Sequence, residues 1–313
     1  MPAGHIKTWL SKACFLNTGP TSLPRFLIMN FKSLFSRLSV IVGFLLVTSC
    51  GKPPSSLTML VMPIDSISET RERYKPFLEY LETKTNMEIN LINASSDADV
   101  KNLLLGKKKF DIVHLNGVLF SEYYNKQKYT IFAQETSDGQ MSYNSVFIAN
   151  HNSKINDILD IKGTVIGLNN KYSTSGSLVP VLMLAKSGLQ PNLDYNYQFF
   201  NSPIAVVDAV STGKVKVGAV SWNLLRLFLR DKSVDPESIR IIGVSFPIPS
   251  NPWLFNKNLP ISLQDSLSEL FFQYSNKNLR NTLGLDGFVP ASSTTHYQLL
   301  EDRDSYDFIL NDK

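Results

Sequence analysis

Apolar residues along most of the chain follow two alternating periods, one typical of strands and one typical of helices. Residues 57–62, Leu-Thr-Met-Leu-Val-Met, form a short apolar run that predicts a buried strand. Four apolar side chains between 74 and 81 then recur at i, i+3, i+4 and i+7, the spacing of one helix face. Ser66 or Ser68 can cap that helix, because a serine hydroxyl accepts a hydrogen bond from a free N–H of the first turn.

The same reasoning predicts strands and helices in alternation over the rest of the chain. Strands are predicted at 87–92, 110–115, 129–133, 145–149, 164–168, 198–200, 217–220 and 239–244. Helices are predicted at 97–105, 173–184, 204–211, 223–229, 263–274 and after residue 275, with a turn at 116–117. Such alternation is typical of α/β layers, so we expect an α/β fold with mainly parallel sheets flanked by helices.

The first 49 residues differ in character and predict an export leader. Two basic residues precede an apolar core at 38–47, and residues 48–50 are Thr-Ser-Cys. This order is typical of a secretory signal, and about ten apolar residues are too few to span a membrane, which takes ~20. Residues 47–50 resemble the lipobox of bacterial lipoproteins, so we expect Cys50 to be lipidated. An ordinary signal with an incidental cysteine is the alternative.

Residues 1–28 do not fit this signal, and we expect translation to start at Met29, with the signal peptide at 29–49. Residues 50–56 then form a lipidated tether that two prolines stiffen. We expect the mature protein to be exported and anchored by lipid to the cell membrane, where it faces the periplasm or the cell exterior.

The net charge changes once this leader is set aside. The whole chain has 31 Lys and Arg against 27 Asp and Glu, but residues 1–49 hold five of the basic residues and no acidic one. Residues 50–313 therefore carry 26 basic and 27 acidic residues, a formal charge of −1. Nucleic-acid binding needs a clustered excess of positive charge, so it is not expected.

Cysteine and histidine are too scarce for most catalytic centres. Cys14 and Cys50 are the two cysteines, so a lipidated Cys50 leaves the mature chain without a free thiol. His114, His151 and His296 form no metal-ligand pattern, and no Gly-x-Ser-x-Gly or Walker-type loop occurs. We therefore expect neither an enzyme nor a metal or cofactor site. His114 could face a cleft, although we expect an ordinary strand-end residue.

Residues 171–180, Lys-Tyr-Ser-Thr-Ser-Gly-Ser-Leu-Val-Pro, carry the clearest candidate chemistry. They open a predicted helix, whose first N–H groups lack intrahelical partners and lie at the positive end of the helix dipole. Ser173, Thr174 and Ser175 add three hydroxyl donors, and Gly176 permits a close approach of the backbone to a ligand. Such a turn could hold a tetrahedral oxyanion without Lys or Arg. The alternative is a Ser/Thr-rich helix cap that binds nothing.

This turn and the segment before it resemble the phosphate/phosphite/phosphonate solute-binding proteins of ABC importers. The resemblance spans about residues 57–300, and its segments are 74–81, 110–117, 142–148, 152–163, 173–180 and 286–290, with Tyr297 beyond. The Ser-Thr-Ser-Gly turn, together with the segment before it, is the most specific of these matches.

The resemblance implies a two-lobed clamshell of the periplasmic-binding-protein type II. Lobe one would comprise about 57–145 plus 245–313, and lobe two about 146–244. Ligand binding closes such lobes by hinge motion, and a membrane permease driven by an ATPase reads the closed form. The implied ligand is a small phosphorus oxyanion, bound by a monomer. The alternative is a sensory or adhesive lipoprotein of the same fold with a different small ligand.

The resemblance also implies which residues contact the ligand. The contacts from lobe two are Ser173, Thr174, Ser175 and Gly176. Tyr143 stands where the family has a ligand-contacting tyrosine, although it could be a half-buried strand residue. Asn116 lies on the loop opposite and could serve only the turn. Asp97 could accept a proton from a protonated oxyanion or simply cap its helix.

Two positions depart from the family pattern. The family often has Gly-Ser-His-Asp where residues 201–204 are Asn-Ser-Pro-Ile, so Pro203 replaces a phosphonate-contacting histidine. An acidic residue that meets the amino group of aminoalkylphosphonates would lie in 220–223, where Ser221 and Asn223 stand. These departures speak against an aminoalkylphosphonate, and the sequence does not name the ligand.

Overall fold

The computed structural model describes residues 55–274 and 277–291. The leader, Cys50, most of the tether and Tyr297 lie outside the described residues, so the predictions made for them stay predictions. Within the described part, no helix is long and apolar enough to cross a membrane.

The described residues form thirteen strands and eight α-helices. The strands are β1 (Ser56–Val61), β2 (Glu88–Asn93), β3 (Ile112–His114), β4 (Tyr129–Thr136), β5 (Ser142–Tyr143), β6 (Ser145–Asn150), β7 (Val165–Leu168), β8 (Asn196–Phe199), β9 (Val217–Ser221), β10 (Ile239–Val244), β11 (Ile248–Pro249), β12 (Pro252–Asn256) and β13 (Gly287–Pro290). The helices are α1 (Ile67–Thr85), α2 (Asp97–Leu105), α3 (Gly117–Tyr123), α4 (Val179–Lys186), α5 (Pro203–Ser211), α6 (Trp222–Arg230), α7 (Ile261–Gln273) and α8 (Lys277–Thr282).

Two large sheets and one small one organise these elements. The first sheet has the order β13-β4-β12-β3-β1-β2, and the second has the order β10-β6-β9-β7-β8. Strands β5 and β11 pair with each other and form the small sheet. Each lies in a segment of the chain that connects one large sheet to the other. The strands of the first sheet fall within the residues predicted for lobe one, and those of the second lie within 145–244. The lobe boundaries themselves stay a prediction.

The sheets are mixed, whereas mainly parallel sheets were expected. Parallel pairing is confined to β2-β1-β3 in the first sheet and β8-β7-β9 in the second. The remaining pairs, which involve β4, β6, β10, β12 and β13, are antiparallel. The reason is that the chain passes twice from one sheet to the other, through β4–β6 and back through β10–β12. Parallel neighbours need a crossover connection, usually a helix, and these passages contain none.

Helix α1 shows how the predicted pattern translates into structure. Ser66 is its N-cap, and its side chain forms a capping box with Glu69, which confirms the first of the two predicted caps. The apolar face predicted between 74 and 81 is buried against the first sheet, where Phe77 packs edge-on against the Trp253 ring at 6.3 Å between centroids. Burial of this face anchors the helix to the sheet.

Several elements were not predicted, among them the two-residue strands β5 and β11. Helix α3 follows Asn116, where only a turn was expected, because the Asn116 side chain accepts a hydrogen bond from Leu119 N at 2.9 Å and so caps a helix. Strand β12 is wholly buried between β3 and β4, and its run of five residues is too short and too closely flanked by proline to show a period. Strand β13 is similarly short.

Candidate functional site

A cavity of about 100 Å³ lies between the two large sheets and is lined by residues of both. All of the residues predicted as ligand contacts line it. They are Asp97, Asn116, Tyr143, Ser173, Thr174, Ser175 and Gly176. Residues separated by up to 79 positions in sequence thus line the same cavity. The volume suits a small ligand, since drug-sized ligands occupy pockets of roughly 300–1,000 Å³.

The Ser-Thr-Ser-Gly segment forms the turn that opens α4. Thr174–Leu178 is a π-helical turn, in which Leu178 N donates to Ser173 O at 3.0 Å. Ser173 is the N-cap, and its Oγ accepts from Gly176 N at 3.2 Å. The turn is wider than the α-helical start predicted at this position, and π-turns of this kind occur often at functional sites.

Thr174 links this turn to the opposite lobe. Its Oγ1 accepts a hydrogen bond of 2.9 Å from Val118 N at the start of α3. The hydroxyl can still donate its own hydrogen into the cavity, because a threonine hydroxyl both donates and accepts. Thr174 therefore holds the two walls together while it keeps one donor for a ligand.

Gly176 has a packing role that the sequence did not reveal. A Cβ at this position would lie 2.7 Å from Asn169 Cβ and 2.9 Å from Ser173 Oγ. Real Cβ atoms do not approach neighbours so closely, so only glycine fits the turn as it stands. The expected reason for this glycine was close approach of a ligand, but the structure shows that the protein itself fills the space.

Asp97 lies at the first turn of α2 and is 3% exposed. Its Oδ2 accepts a hydrogen bond of 3.1 Å from Asn170 Nδ2 on the opposite wall. Burial raises the pKa of this carboxyl to about 7, and the Asn170 hydrogen bond opposes the rise. The capping alternative for Asp97 is wrong, because Ser96 is the N-cap and its hydroxyl accepts from Asp99 N at 3.2 Å.

Asn116 and Tyr143 complete the predicted set. Besides capping α3, Asn116 donates through Nδ2 to Tyr172 O at 3.0 Å, so its side chain ties the two walls together. Tyr143 lies in β5, where the chain passes between the sheets, and its hydroxyl interacts with the Ser175 side chain. Burial raises the pKa of Tyr143, which keeps its hydroxyl protonated and able to donate.

The two positions that depart from the family pattern also line the cavity. Pro203 occupies the first turn of α5, where it has no N–H to offer a ligand. Ser221 ends β9, and the Oδ1 of Asn223 accepts from Ser137 Oγ at 3.1 Å. The wall formed by 220–223 is therefore neutral.

Sequence reasoning missed one acidic residue of the site and undervalued one histidine. Glu135 near the end of β4 and His114 at the end of β3 both line the cavity, and their side chains approach each other at 2.9 Å between His114 Nε2 and Glu135 Oε1. The sequence signal for Glu135 was weak. The residue follows the predicted strand 129–133, and its neighbour in the site, His114, lies 21 positions earlier.

Two contacts between residues outside the cavity lining also join the lobes. Lys101 Nζ donates to the Tyr172 hydroxyl at 2.7 Å. Arg73 donates through Nη2 to Asp231 Oδ2 at 2.7 Å. The two lobes are therefore in direct contact, as in a closed clamshell. The described residues contain no cluster of three or more His, Cys, Asp or Glu side chains able to hold a metal ion.

Comparison with known proteins identifies the family of this chain. The model of a family described as ABC transporter, phosphonate, periplasmic substrate-binding protein matches residues 59–297. The chain belongs to this family. The predicted resemblance is thereby confirmed, and so is the coarser expectation of an exported solute-binding protein of an ABC transporter.

Individual relatives agree with this assignment. The phosphonates-binding periplasmic protein of Escherichia coli K12 is 25% identical over 254 residues, which cover 78% of this chain and 74% of that protein. PhnD1 from Prochlorococcus marinus MIT 9301, solved in complex with methylphosphonate, gives a TM-score of 0.73 at 17% identity, over 80% of this chain and 98% of PhnD1. A binding protein of an ABC phosphonate transporter from Pseudomonas aeruginosa gives a TM-score of 0.69 at 22% identity, over 81% of this chain and 86% of that one. These likenesses confirm the predicted type II clamshell.

Proposed function

We propose that this family member captures a small phosphorus oxyanion between its lobes and delivers it to an ABC permease and its ATPase. The cavity carries this proposal, because the Ser173–Gly176 turn and residues of the opposite lobe enclose it together. A ligand there contacts both lobes at once and so stabilises the closed form. The protein acts as a receptor and leaves the bonds of its ligand intact.

The charge of the cavity favours recognition by hydrogen bonds. Among the described residues that line it, none is Lys or Arg. An oxyanion would instead be held by the hydroxyl groups of Thr174, Ser175 and Tyr143 and by main-chain N–H groups at the start of the π-turn. Buried donors in fixed positions select a tetrahedral oxyanion by geometry, and they also cost less desolvation than a buried cation would.

Asp97 would make binding depend on the protonation state of the ligand. Its carboxyl, with a pKa of about 7, can share a proton with a partly protonated phosphorus oxyanion near neutral pH. A fully ionised ligand has no proton to share and would be repelled by the ionised carboxyl. This arrangement favours phosphate, phosphite and phosphonate over sulfate, which carries no proton at neutral pH.

The binding test is calorimetry on the purified protein with phosphate, phosphite, methylphosphonate and sulfate. We expect at least one phosphorus oxyanion to bind and to raise the free energy of unfolding by ~2.7 kcal/mol at a concentration 100-fold above its dissociation constant. Sulfate should bind far more weakly. If none of the phosphorus ligands stabilises the protein, the proposal is wrong.

We also propose that the protein is held at the membrane by lipid on Cys50, after removal of a signal peptide at 29–49. The support is the lipobox-like sequence that ends at Cys50. Mass spectrometry of protein from a bacterial membrane fraction should find an N-terminal diacylglyceryl-cysteine. The Cys50→Ala variant should lose the lipid and leave the membrane fraction, whereas unchanged membrane retention would contradict the anchor.

A further inference from the structure

The edge of the first sheet that lies away from the cavity carries a cluster of exposed lysines. His114 and Glu135, which line the cavity, lie at or near the ends of β3 and β4. Strand β12 is antiparallel to both, so the starts of β3 and β4 meet the end of β12 at the opposite edge. The segments that enter and leave these strands there carry the basic cluster. Its members, all exposed, are Lys107, Lys108, Lys109, Lys126, Lys128 and Lys257.

Main-chain hydrogen bonds hold the three segments of the basic cluster together. Lys257 N donates to Lys128 O at 2.8 Å. Asn256 joins these two segments to the third, because its N donates to Asp111 O at 2.8 Å and its Nδ2 donates to Phe110 O at 3.2 Å. The lysines are therefore far apart in sequence but close in the fold, and the sheet fixes the segments that carry them.

The positive charge of the basic cluster is largely uncompensated. In the part of the chain that the structure describes, no ion pair includes any of its lysines. Asp111 and Glu88 are the described acidic residues within three positions of a strand end at this edge. The Asp111 carboxylate already accepts two hydrogen bonds of 2.8 Å from Thr58. An excess of positive charge thus remains on a chain whose residues 50–313 carry a formal charge of −1.

An apolar groove adjoins the basic cluster. It has a volume of about 520 Å³, and its lining includes Leu105, Tyr123, Tyr124 and Lys126. Leu105, two residues before Lys107, is 64% exposed. Proteins meet a lipid–water interface with this combination, because an apolar side chain enters the acyl boundary, tyrosine lies at headgroup level and lysine meets anionic headgroups.

The chain enters the fold at the same edge. Strand β1 begins at Ser56 and runs parallel to β3, and Thr58 Oγ1 donates to Lys109 O at 3.4 Å. Cys50 lies six residues before Ser56, so even an extended chain keeps it within roughly 22 Å of the start of β1. A lipid on Cys50 would therefore hold the basic cluster near the membrane surface, with the cavity at the far edge of the sheet.

We propose that the basic cluster and the apolar groove dock onto anionic lipid headgroups at the membrane surface. This inference goes beyond the proposed lipid anchor, because it assigns a second membrane contact that the folded domain itself makes. Attraction of lysines to an anionic surface adds to the effect of a lipid chain. All members of the cluster flank strands of the first sheet, so docking fixes this lobe and leaves the second free for hinge motion.

Vesicle binding by the purified chain with Cys50→Ala tests this proposal without a lipid anchor. The probes are vesicles of phosphatidylcholine alone and of phosphatidylcholine mixed with phosphatidylglycerol, and co-sedimentation measures the bound fraction. We expect preferential binding to the vesicles that contain phosphatidylglycerol. Combined Lys107→Gln, Lys108→Gln and Lys109→Gln substitutions should weaken this binding about ten- to a hundredfold, because each lysine close to an anionic surface strengthens it several-fold.

A matched control removes the same charge elsewhere. Lys154→Gln, Lys214→Gln and Lys216→Gln together replace three exposed lysines beside the second sheet and should leave vesicle binding unchanged. Whatever the residues before Ser55 contribute is the same in both variants and cancels from the comparison. A rise in ionic strength from about 0.1 M to about 1 M should release the protein that carries the basic cluster, because the screening length falls from ~10 Å to ~3 Å.

Three outcomes would overturn the docking surface. They are equal binding to the two kinds of vesicle, equal binding by the two triple variants, and binding that resists salt. Because the substituted lysines are exposed, thermal unfolding should be the same in all the proteins. Lys126→Gln with Lys128→Gln is an independent second variant and should also weaken binding. The test contains no oxyanion ligand, so its result is independent of the proposed capture of a phosphorus oxyanion.

Discussion

Asp97 is the residue whose chemistry depends most on the tertiary structure. In the unfolded chain its carboxyl has an ordinary pKa of 3.8, and in the folded protein burial raises the pKa to about 7. Between these values the folded chain holds a proton that the unfolded chain has released. The free energy of unfolding must therefore fall as the pH rises from about 4 to about 7.

Replacement of Asp97 tests this linkage. In Asp97→Asn the group no longer ionises, so the variant should lose this fall in stability and become more stable than the parent protein above pH 7, by roughly 4 kcal/mol at most. Urea unfolding at pH 5 and pH 8, without ligand, measures the effect. Equal pH dependence in the two proteins would show that Asp97 ionises as freely in the folded chain as in the unfolded one.

The π-turn that opens α4 is the element on which the site depends. It holds the candidate anion-binding segment in a wide turn, and Thr174 joins that segment to α3 in the opposite lobe by a hydrogen bond. Gly176 makes this turn possible, because a Cβ at this position would lie only 2.7 Å from Asn169 Cβ. The same four residues, Ser173–Gly176, therefore provide both the packing of the turn and the candidate ligand contacts.

We expect Gly176→Ala to damage binding and stability together. The added methyl group would press on Asn169 and Ser173 and should cost about 1–3 kcal/mol, as overpacking usually does, while oxyanion affinity falls because the turn shifts. Gly287→Ala is the matched control, since its Cβ would meet only Thr136 Oγ1 at 3.8 Å. Thermal unfolding and calorimetry report the two effects, and equal behaviour of the two variants would contradict the packing argument.

At the scale of the whole molecule, closure is supported by ion pairs between residues that do not line the cavity. Arg73 pairs with Asp65 at 2.5 Å within its own lobe and with Asp231 at 2.7 Å in the other. Arg226 pairs with Asp138 across the same gap. Such partly exposed ion pairs are weak singly, but the Arg73–Asp231 and Arg226–Asp138 pairs form only when the lobes meet and therefore stabilise the closed state.

Removal of one such contact should speed the release of the ligand. Asp231→Asn takes away the charge that Arg73 meets across the cleft but keeps an oxygen for Ser233, and we expect ligand dissociation to become about two- to tenfold faster with little change in association. Stopped-flow measurement of both rates is the test. Lys162→Ala is the control, because the Lys162–Asp194 pair joins residues of the second-sheet side only and should not affect closure. A slower association with unchanged dissociation would show that this contact does not hold the closed form.

Much of this architecture follows from local patterns in the sequence. The period of 3.6 in α1 and its Ser66 cap, the helix at 97–105 and the predicted strands of both sheets depend on neighbouring residues, and the structure confirms them. The Ser-Thr-Ser-Gly segment was visible because its chemistry lies within four consecutive positions. Strand β12 and helix α3 could not be predicted in this way. A short, fully buried strand shows no alternation of apolar and polar residues, and the Asn116 cap has the same sequence as an ordinary turn.

By itself the sequence determined the α/β class, the family and the position of the candidate anion-binding turn, since each depends on runs of neighbouring residues. The tertiary structure alone decided the antiparallel crossovers, the raised pKa of Asp97 and the meeting of Glu135, His114 and Asn251 in one wall. The physical reason is distance along the chain. Burial, charge and hydrogen-bond alignment depend on side chains that lie next to each other only after the two sheets have formed and closed on the cavity between them.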